Sequence, residues 1–225
     1  MSDARHDPSA ARPLTARQSE RRARILDAAQ VLLAEHGYDG VSMRMIAERA
    51  GVAERTLFNI YSSRDALIAM SARDRSSGII AEAWDNAPDP GTGFLLTLCQ
   101  TLTRYTLVDR DMARALAPVL IRESNLVGLH DIYRDFVGRS LASLAAEGNF
   151  REEAVGTLPS LIAMNVVSIV VQWAAGLIED EALETHFRLT VGQVVLPHAS
   201  GELECWAGEL ARSAVARIAA VQDAA

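Results

Sequence analysis

The side chains of this chain best suited to specific chemistry are its arginines. All 22 basic residues are Arg and none is Lys, so every cationic contact is made by a planar fork with five donors. The histidines, His6, His36, His130, His186 and His198, show no HExxH or other ligand spacing. There is no G-x-S-x-G nucleophile elbow and no phosphate-cradling P-loop. Glu152-Glu153 and the acidic run 179–181 read as solvated helix ends rather than acid/base pairs. These patterns predict no enzyme, no catalytic residue, no metal site and no cofactor. Spacing becomes informative in residues 39–67, DGVSMRMIAERAGVAERTLFNIYSSRDAL. Ala47 is small enough for two helices to cross closely. Gly51, four residues on, can take the left-handed conformation that a tight turn needs. Val52 and Leu57 then plug the crossing from the other side. This is the helix-turn-helix plan.

The elements that hold this plan follow from periodicity. Ile25, Ala28, Ala29, Leu32 and Leu33 share one buried helical face, and Gly37 is a natural stop. Ser42 is an N-cap for a short helix over 43–50, and a third helix covers 53–61, burying Leu57 and Tyr61. Either Ser62 or Ser63 can start the fourth helix, which runs toward Trp84. Residues 86–93, NAPDPGTG, form a loop. Helices are expected at 94–108, 111–124, 127–147, 156–179, 183–196 and 202–222. No alternating strand pattern stands out. The fold class is all-α. A flexible arm (1–19) precedes a three-helix helix-turn-helix domain (20–66) and a larger helical domain (67–225).

The net charge of -7 argues against a nucleic-acid partner until it is divided. Residues 1–75 hold 12 Arg against 10 acids, and residues 76–225 hold 10 Arg against 19 acids. An acidic body with a mildly basic head would be oriented as it approaches DNA. Cys99 and Cys205 lie far apart without CxxC spacing, which fits a reducing cytosol and a cytoplasmic location. Residues 1–22 lack the apolar stretch of a signal peptide. The uncharged run Leu161 to Ile178 is near the lower limit of a membrane span. Asn165, Ser168 and Gln172 lie on roughly one of its faces, so it reads as a buried bundle helix and no membrane partner is expected.

Residues 25–67 resemble the TetR family of bacterial transcriptional regulators. The resemblance is carried by Gly37-Tyr38, Ser42, Ile46-Ala47, Ala50-Gly51-Val52, Thr56-Leu57-Phe58, Ile60-Tyr61 and Ser63-Arg64. It implies that residues 53–61 are a recognition helix in the major groove of double-stranded operator DNA. It also implies DNA contacts from Ser42, Arg44, Arg55, Thr56, Phe58, Asn59 and Arg64. Thr56 would hold a phosphate, Arg64 would clamp another, and Arg44 could reach a guanine, where its fork meets O6 and N7 together. The family usually has Tyr at Phe58 and His at Ile60; Asn59 and Arg55 stand beside these losses. As bare side chains, Arg44, Arg55 and Arg64 also read as solvated surface arginines, and Phe58 as core. The arginines of residues 1–22 read either as a minor-groove arm or as a solubilising tail.

The helix at 156–179 is apolar nearly all round and must be buried on more than one side. The resemblance implies a four-helix dimer interface from this helix and the next, at Val166, Val170, Leu183, Phe187, Val191 and Val194. A two-fold dimer would read a pseudo-palindrome. The resemblance also implies a pocket for a small, largely apolar effector. Candidates for its wall are Phe94, Leu98, Cys99, Leu102, Met112, Leu116, His130, Tyr133, Met164, Asn165 and Trp173, with Gln172 as a further polar group. The function implied is a ligand-responsive regulator, a repressor or equally an activator. The rival is a helical enzyme or carrier in which residues 20–66 are only a structural cap.

Overall fold

The computed structural model describes residues 15–222, and every regular element among them is helical. The head comprises α1 (Ala16–Gly40), α2 (Met43–Ala50) and α3 (Glu54–Tyr61). The long α4 (Arg64–Asp85) leads into α5 (Thr92–Val108), α6 (Arg110–Arg122), the single turn α7 (Ser124–Val127) and α8 (Leu129–Ala146). Then come α9 (Leu158–Ala174), α10 (Leu183–Val195) and α11 (Gly201–Gln222).

Local chemistry sets these boundaries. Thr15 caps α1 in a reciprocal box: its hydroxyl accepts from the Gln18 amide at 3.4 Å, and the Gln18 side chain accepts from the Thr15 amide at 2.9 Å. The expected arm is therefore helical from Ala16; residues 1–14 lie outside the described residues. Gly37, at φ 68°, kinks α1. The expected break at Asn125 lies instead at Gly128, at φ 61°, where Arg73 Nη1 donates to the carbonyls of Val127 (2.8 Å) and Gly128 (3.0 Å). The apolar helix expected to reach residue 179 ends at Ala174. Gly176 turns the chain at φ 75°, and Trp173 Nε1 donates to Asp180 at 2.7 Å across that turn. Among the described residues no helix is long and apolar enough to cross a membrane.

Two apolar cores share α4. Its first half places Leu67, Ile68, Ala69 and Ala72 in the head core with Ile25, Leu33, Ile46 and Leu57. Its second half places Ile80 and Ala83 in the body core. The head core also takes in Met112, Leu116 and Val119 of α6. The head is therefore seated on the body through α6 as well as through α4. Movement of either helix must repack both cores, because protein interiors are close-packed.

Candidate nucleic-acid interface and internal cavity

The α2–α3 unit is built as its spacing predicts. The Ser42 hydroxyl accepts from the Met45 amide at 3.2 Å and starts α2. Gly51 closes it in the left-handed conformation (φ 66°, ψ 41°), and the Val52 amide donates to the Ala47 carbonyl at 3.0 Å. Leu57 and Tyr61 turn α3 into the head core. On the opposite side Arg55, Phe58 and Asn59 are exposed, with Thr56 half-buried beside them. Phe58 is 48% exposed, which excludes the core reading of that residue. Arg44 on α2 is also open: its side chain is 75% exposed and its only ion pair among the described residues, to Glu48, is 3.9 Å long. These side chains form one polar surface around a single exposed aromatic ring.

Arg64 differs from the expectation. It opens α4 but turns inward. Its Nε and Nη2 donate to Asp65 Oδ1 at 3.0 and 2.8 Å, and Nη1 donates to the carbonyls of Tyr38 and Val41 at 3.2 and 3.3 Å. Its guanidinium also lies 4.6 Å from the Tyr38 ring centre, with Arg122 at 4.8 Å. Four of its five donors are engaged within the protein, which leaves Arg64 little to offer the phosphate expected of it. The Tyr38 hydroxyl lies 2.9 Å from Asp65 and 3.1 Å from Glu123, at the end of α6. Burial and these two carboxylates push the Tyr38 pKa up to about 12. Hydrogen bonds from Arg64 and Tyr38 hold the Asp65 carboxyl below the usual range. Arg64 thus belongs to the joint between head and body.

The body contains an internal cavity of about 80 Å³ between α4, α5, α6, α8 and α9. Three of the expected wall residues line it: Leu102, Leu116 and Tyr133. The others do not. Phe94, Leu98, Cys99 and Trp173 are packed in the body core, and Met112 in the head core. Burial pushes the Cys99 thiol up to about 12, so it is an inert core group. Met164, 68% exposed, and His130 border an outer groove of about 640 Å³. Asn165 and Gln172 bond within their own helix, to the Leu161 carbonyl at 2.8 Å and the Ser168 hydroxyl at 3.0 Å. The spacing missed Arg75, Ser76, Ile79, Tyr105 and Val167 as wall residues. Arg75 carried a usable signal: it lies at i+3 from Ala72 and i−4 from Ile79, a cation on the inward stripe of α4.

The dimer residues also need correction. Leu183, Phe187 and Val191 are at most 3% exposed within the single chain, in its own core. Val166 and Val170 line the cavity, and Val194 packs against the core. Alpha10 is enclosed on its other side by α11. A Cβ at Gly192 would lie 2.9 Å from the Ala211 amide nitrogen. The stripe on α10 was real, but the partner it meets is this chain.

An exposed recognition-type helix on a three-helix head, joined by one long helix to a larger helical body, defines a helix-turn-helix protein of the regulator type. Residues 25–69 match the family model described as "Bacterial regulatory proteins, tetR family". Over these residues the head is similar to the TetR family, and the likeness over the rest of the chain is one of fold. It is 39% identical over 103 residues to the HTH-type transcriptional repressor KstR of Rhodococcus jostii, a match covering 44% of this chain and 48% of that protein. The chain spans about half the length of the KstR relatives it matches (47–51%). The fold is shared with a TetR transcriptional regulator from Rhodococcus sp. RHA1: TM-score 0.64, 21% identity, 79% of this chain and 97% of that one. It is also shared with Thermus thermophilus FadR, a TetR-family repressor solved with lauroyl-CoA: TM-score 0.59, 22% identity, 80% and 98% coverage.

Proposed function

We propose that this protein is a ligand-responsive transcriptional repressor, acting in the cytoplasm, that binds a pseudo-palindromic operator as a homodimer. The observation that carries this reading is the two-sided α3. Leu57 and Tyr61 lock one face into the head, while Arg55, Phe58 and Asn59 stand free on the other. A helix held so can enter the major groove, which admits an α-helix and displays a distinct donor/acceptor pattern for each base pair. By side-chain chemistry Asn59 would pair with adenine, Arg44 with guanine, and Arg55 and Thr56 with phosphate. Phe58 offers an apolar contact. Arg64 instead holds the head to the body.

The dimer face we favour is the outward side of α9 with the ends of α6 and α7. Leu161, Met164, Ile121 and Leu126 are exposed there, at 41–68%. An apolar face on neighbouring helices suits a self-complementary two-fold contact. The effector site is the internal cavity, whose floor includes Arg75, Ser76, Ile79 and Ile80 of α4. A ligand that fits one setting of α4 better than another shifts the head, and a preference of a few kcal/mol is enough to release DNA. FadR is a neighbour that holds an acyl chain. The cavity here suits a smaller, mainly apolar molecule.

The test is selection of bound duplexes from a random pool by the purified chain. The expected result is a motif of two inverted half-sites about one helical turn apart, or a multiple of it. Recovery of unenriched sequence, or of a single half-site bound by a monomer, overturns the proposal.

A further inference from the structure

The cavity wall is apolar over Ile80, Leu102, Leu116 and Val166, yet it includes the Arg75 guanidinium, the hydroxyls of Ser76 and Thr106 and two phenols, Tyr133 and Tyr105, the latter already donating to Glu82. The Arg75 side chain is only 19% exposed, and its ion pair with Asp109 is 3.8 Å long, too long for a hydrogen bond, so its N–H donors stay uncommitted among the described residues. The Tyr105 ring centre lies 6.0 Å from its guanidinium carbon. Two other arginines are treated differently. Arg64 and Arg188 are more exposed, at 29%, and each donates to a carboxylate, at 2.8 and 2.6 Å. Tyr133 is 2% exposed. Among the described residues neither the Arg75 guanidinium nor the Tyr133 hydroxyl has a hydrogen-bond partner. The Tyr133 hydroxyl is not one of the sealed unpartnered atoms, which are Arg21 Nε and the Tyr61 hydroxyl, so part of it faces open space. Burial pushes the Tyr133 pKa up, keeping it a donor at neutral pH.

Unmet donors on a largely buried cation are costly unless something arrives to accept from them. On the reading that this cavity is the effector site, we propose that its ligand is a compact organic acid. It has one ring or a short chain, ending in a single carboxylate held by Arg75 on α4 and Tyr133 on α8. Arg pairs a carboxylate through two parallel bonds, and a phenol can donate a third. A dianionic phosphate would need more positive charge than the single guanidinium of this wall supplies. A neutral ligand would leave the Arg75 fork unpaired. At about 80 Å³ the space admits only a small body. Because Arg75 rides on α4, the carboxylate would grip the helix that joins head to body.

The test is calorimetric titration of the full chain with benzoate and butanoate, each against its neutral amide. At least one acid should bind tenfold or more tightly than its amide. Arg75→Met should abolish that preference, and Tyr133→Phe should weaken the acid roughly three- to tenfold. Circular dichroism checks each fold, and Arg75→Gln replaces Arg75→Met if the latter does not fold. Equal binding of acid and amide, no binding of either acid at millimolar concentration, or an acid preference that survives removal of the guanidinium would each overturn the proposal. Operator affinity is measured separately. An acid that binds but leaves DNA affinity unchanged contradicts the effector reading while this site stands. Release of DNA by a neutral compound that occupies the same cavity, with no acid doing so, sinks this proposal and spares that reading.

Discussion

The head and the body are both helical, but their cores are assembled differently. In the head, α2 and α3 are eight residues each and pack as sequence neighbours on α1, while α6 closes the core from outside. Capping serines and one left-handed glycine fix which side of each helix turns inward. In the body, α9 and α10 are apolar on several sides, and their faces meet both chain neighbours, α8 and α11, and the distant α5 and α6. The first kind of core specifies a surface from local sequence. The second specifies burial without saying against what. On the proposed function the difference falls where the roles divide: a head that reads DNA needs one fixed outward face, and a body that responds to a ligand needs interchangeable packing.

The largest expected effect strikes the head. Leu57 is 0% exposed, and Leu57→Ala should cost about 2–5 kcal/mol. Hydrogen exchange should then show lost protection in α1–α3 while α8–α11 keep theirs. Equal loss in both regions would mean that the head core, through Met112 and Leu116 of α6, is inseparable from the body. Next is Gly192→Ala in the body. Its Cβ would meet backbone atoms of Ala211 and Ala207 at 2.9 and 3.0 Å, forcing α10 from α11. The strain of about 1–3 kcal/mol exceeds the gain of about 1 kcal/mol from replacing a helical glycine, so Tm should fall while the head keeps its exchange protection. A rise in Tm would show that the α10–α11 contact is loose. The smallest effect is a gain. Ser62, just after α3, sits at φ 58°, and it is the only non-glycine residue with positive φ among the described residues. Ser62→Gly should raise stability by about 1 kcal/mol, less what is lost with the 2.6 Å bond from its hydroxyl to the Tyr61 carbonyl. An unchanged or lower Tm would mean that this hydroxyl bond outweighs the backbone strain.

Legibility followed the same division. Ser42, Gly51, Leu57 and the outward trio Arg55, Phe58 and Asn59 could be read because caps and a 3.6-residue period act within one helix. The inward turn of Arg64 is not legible in spacing because its acceptors, the carbonyls of Tyr38 and Val41, lie more than twenty residues back. A cation at a helix start looks the same on paper whether it faces solvent or a folded loop. The stripe of Leu183, Phe187 and Val191 was read correctly as buried and wrongly as an interface, since periodicity does not name the covering surface. The cavity eluded spacing because it is a space left among five helices; Leu102, Leu116 and Tyr133 were found beside others that simply pack.

The central claim is that the outward face of α3, with Arg44 of α2, reads DNA. It is tested most directly by fluorescence anisotropy on a duplex recovered from the random pool, across a salt series, with wild type, Arg44→Ala, Arg55→Ala and Arg64→Ala. Wild-type affinity should fall steeply and log-linearly with salt. Arg55→Ala should weaken all sequences alike and flatten the salt slope by about one unit, and Arg44→Ala should relax preference at one base pair by about 1–3 kcal/mol. Arg64→Ala should lower Tm without changing the slope. Salt-insensitive binding, or affinity untouched by Arg44→Ala and Arg55→Ala together, would contradict the account.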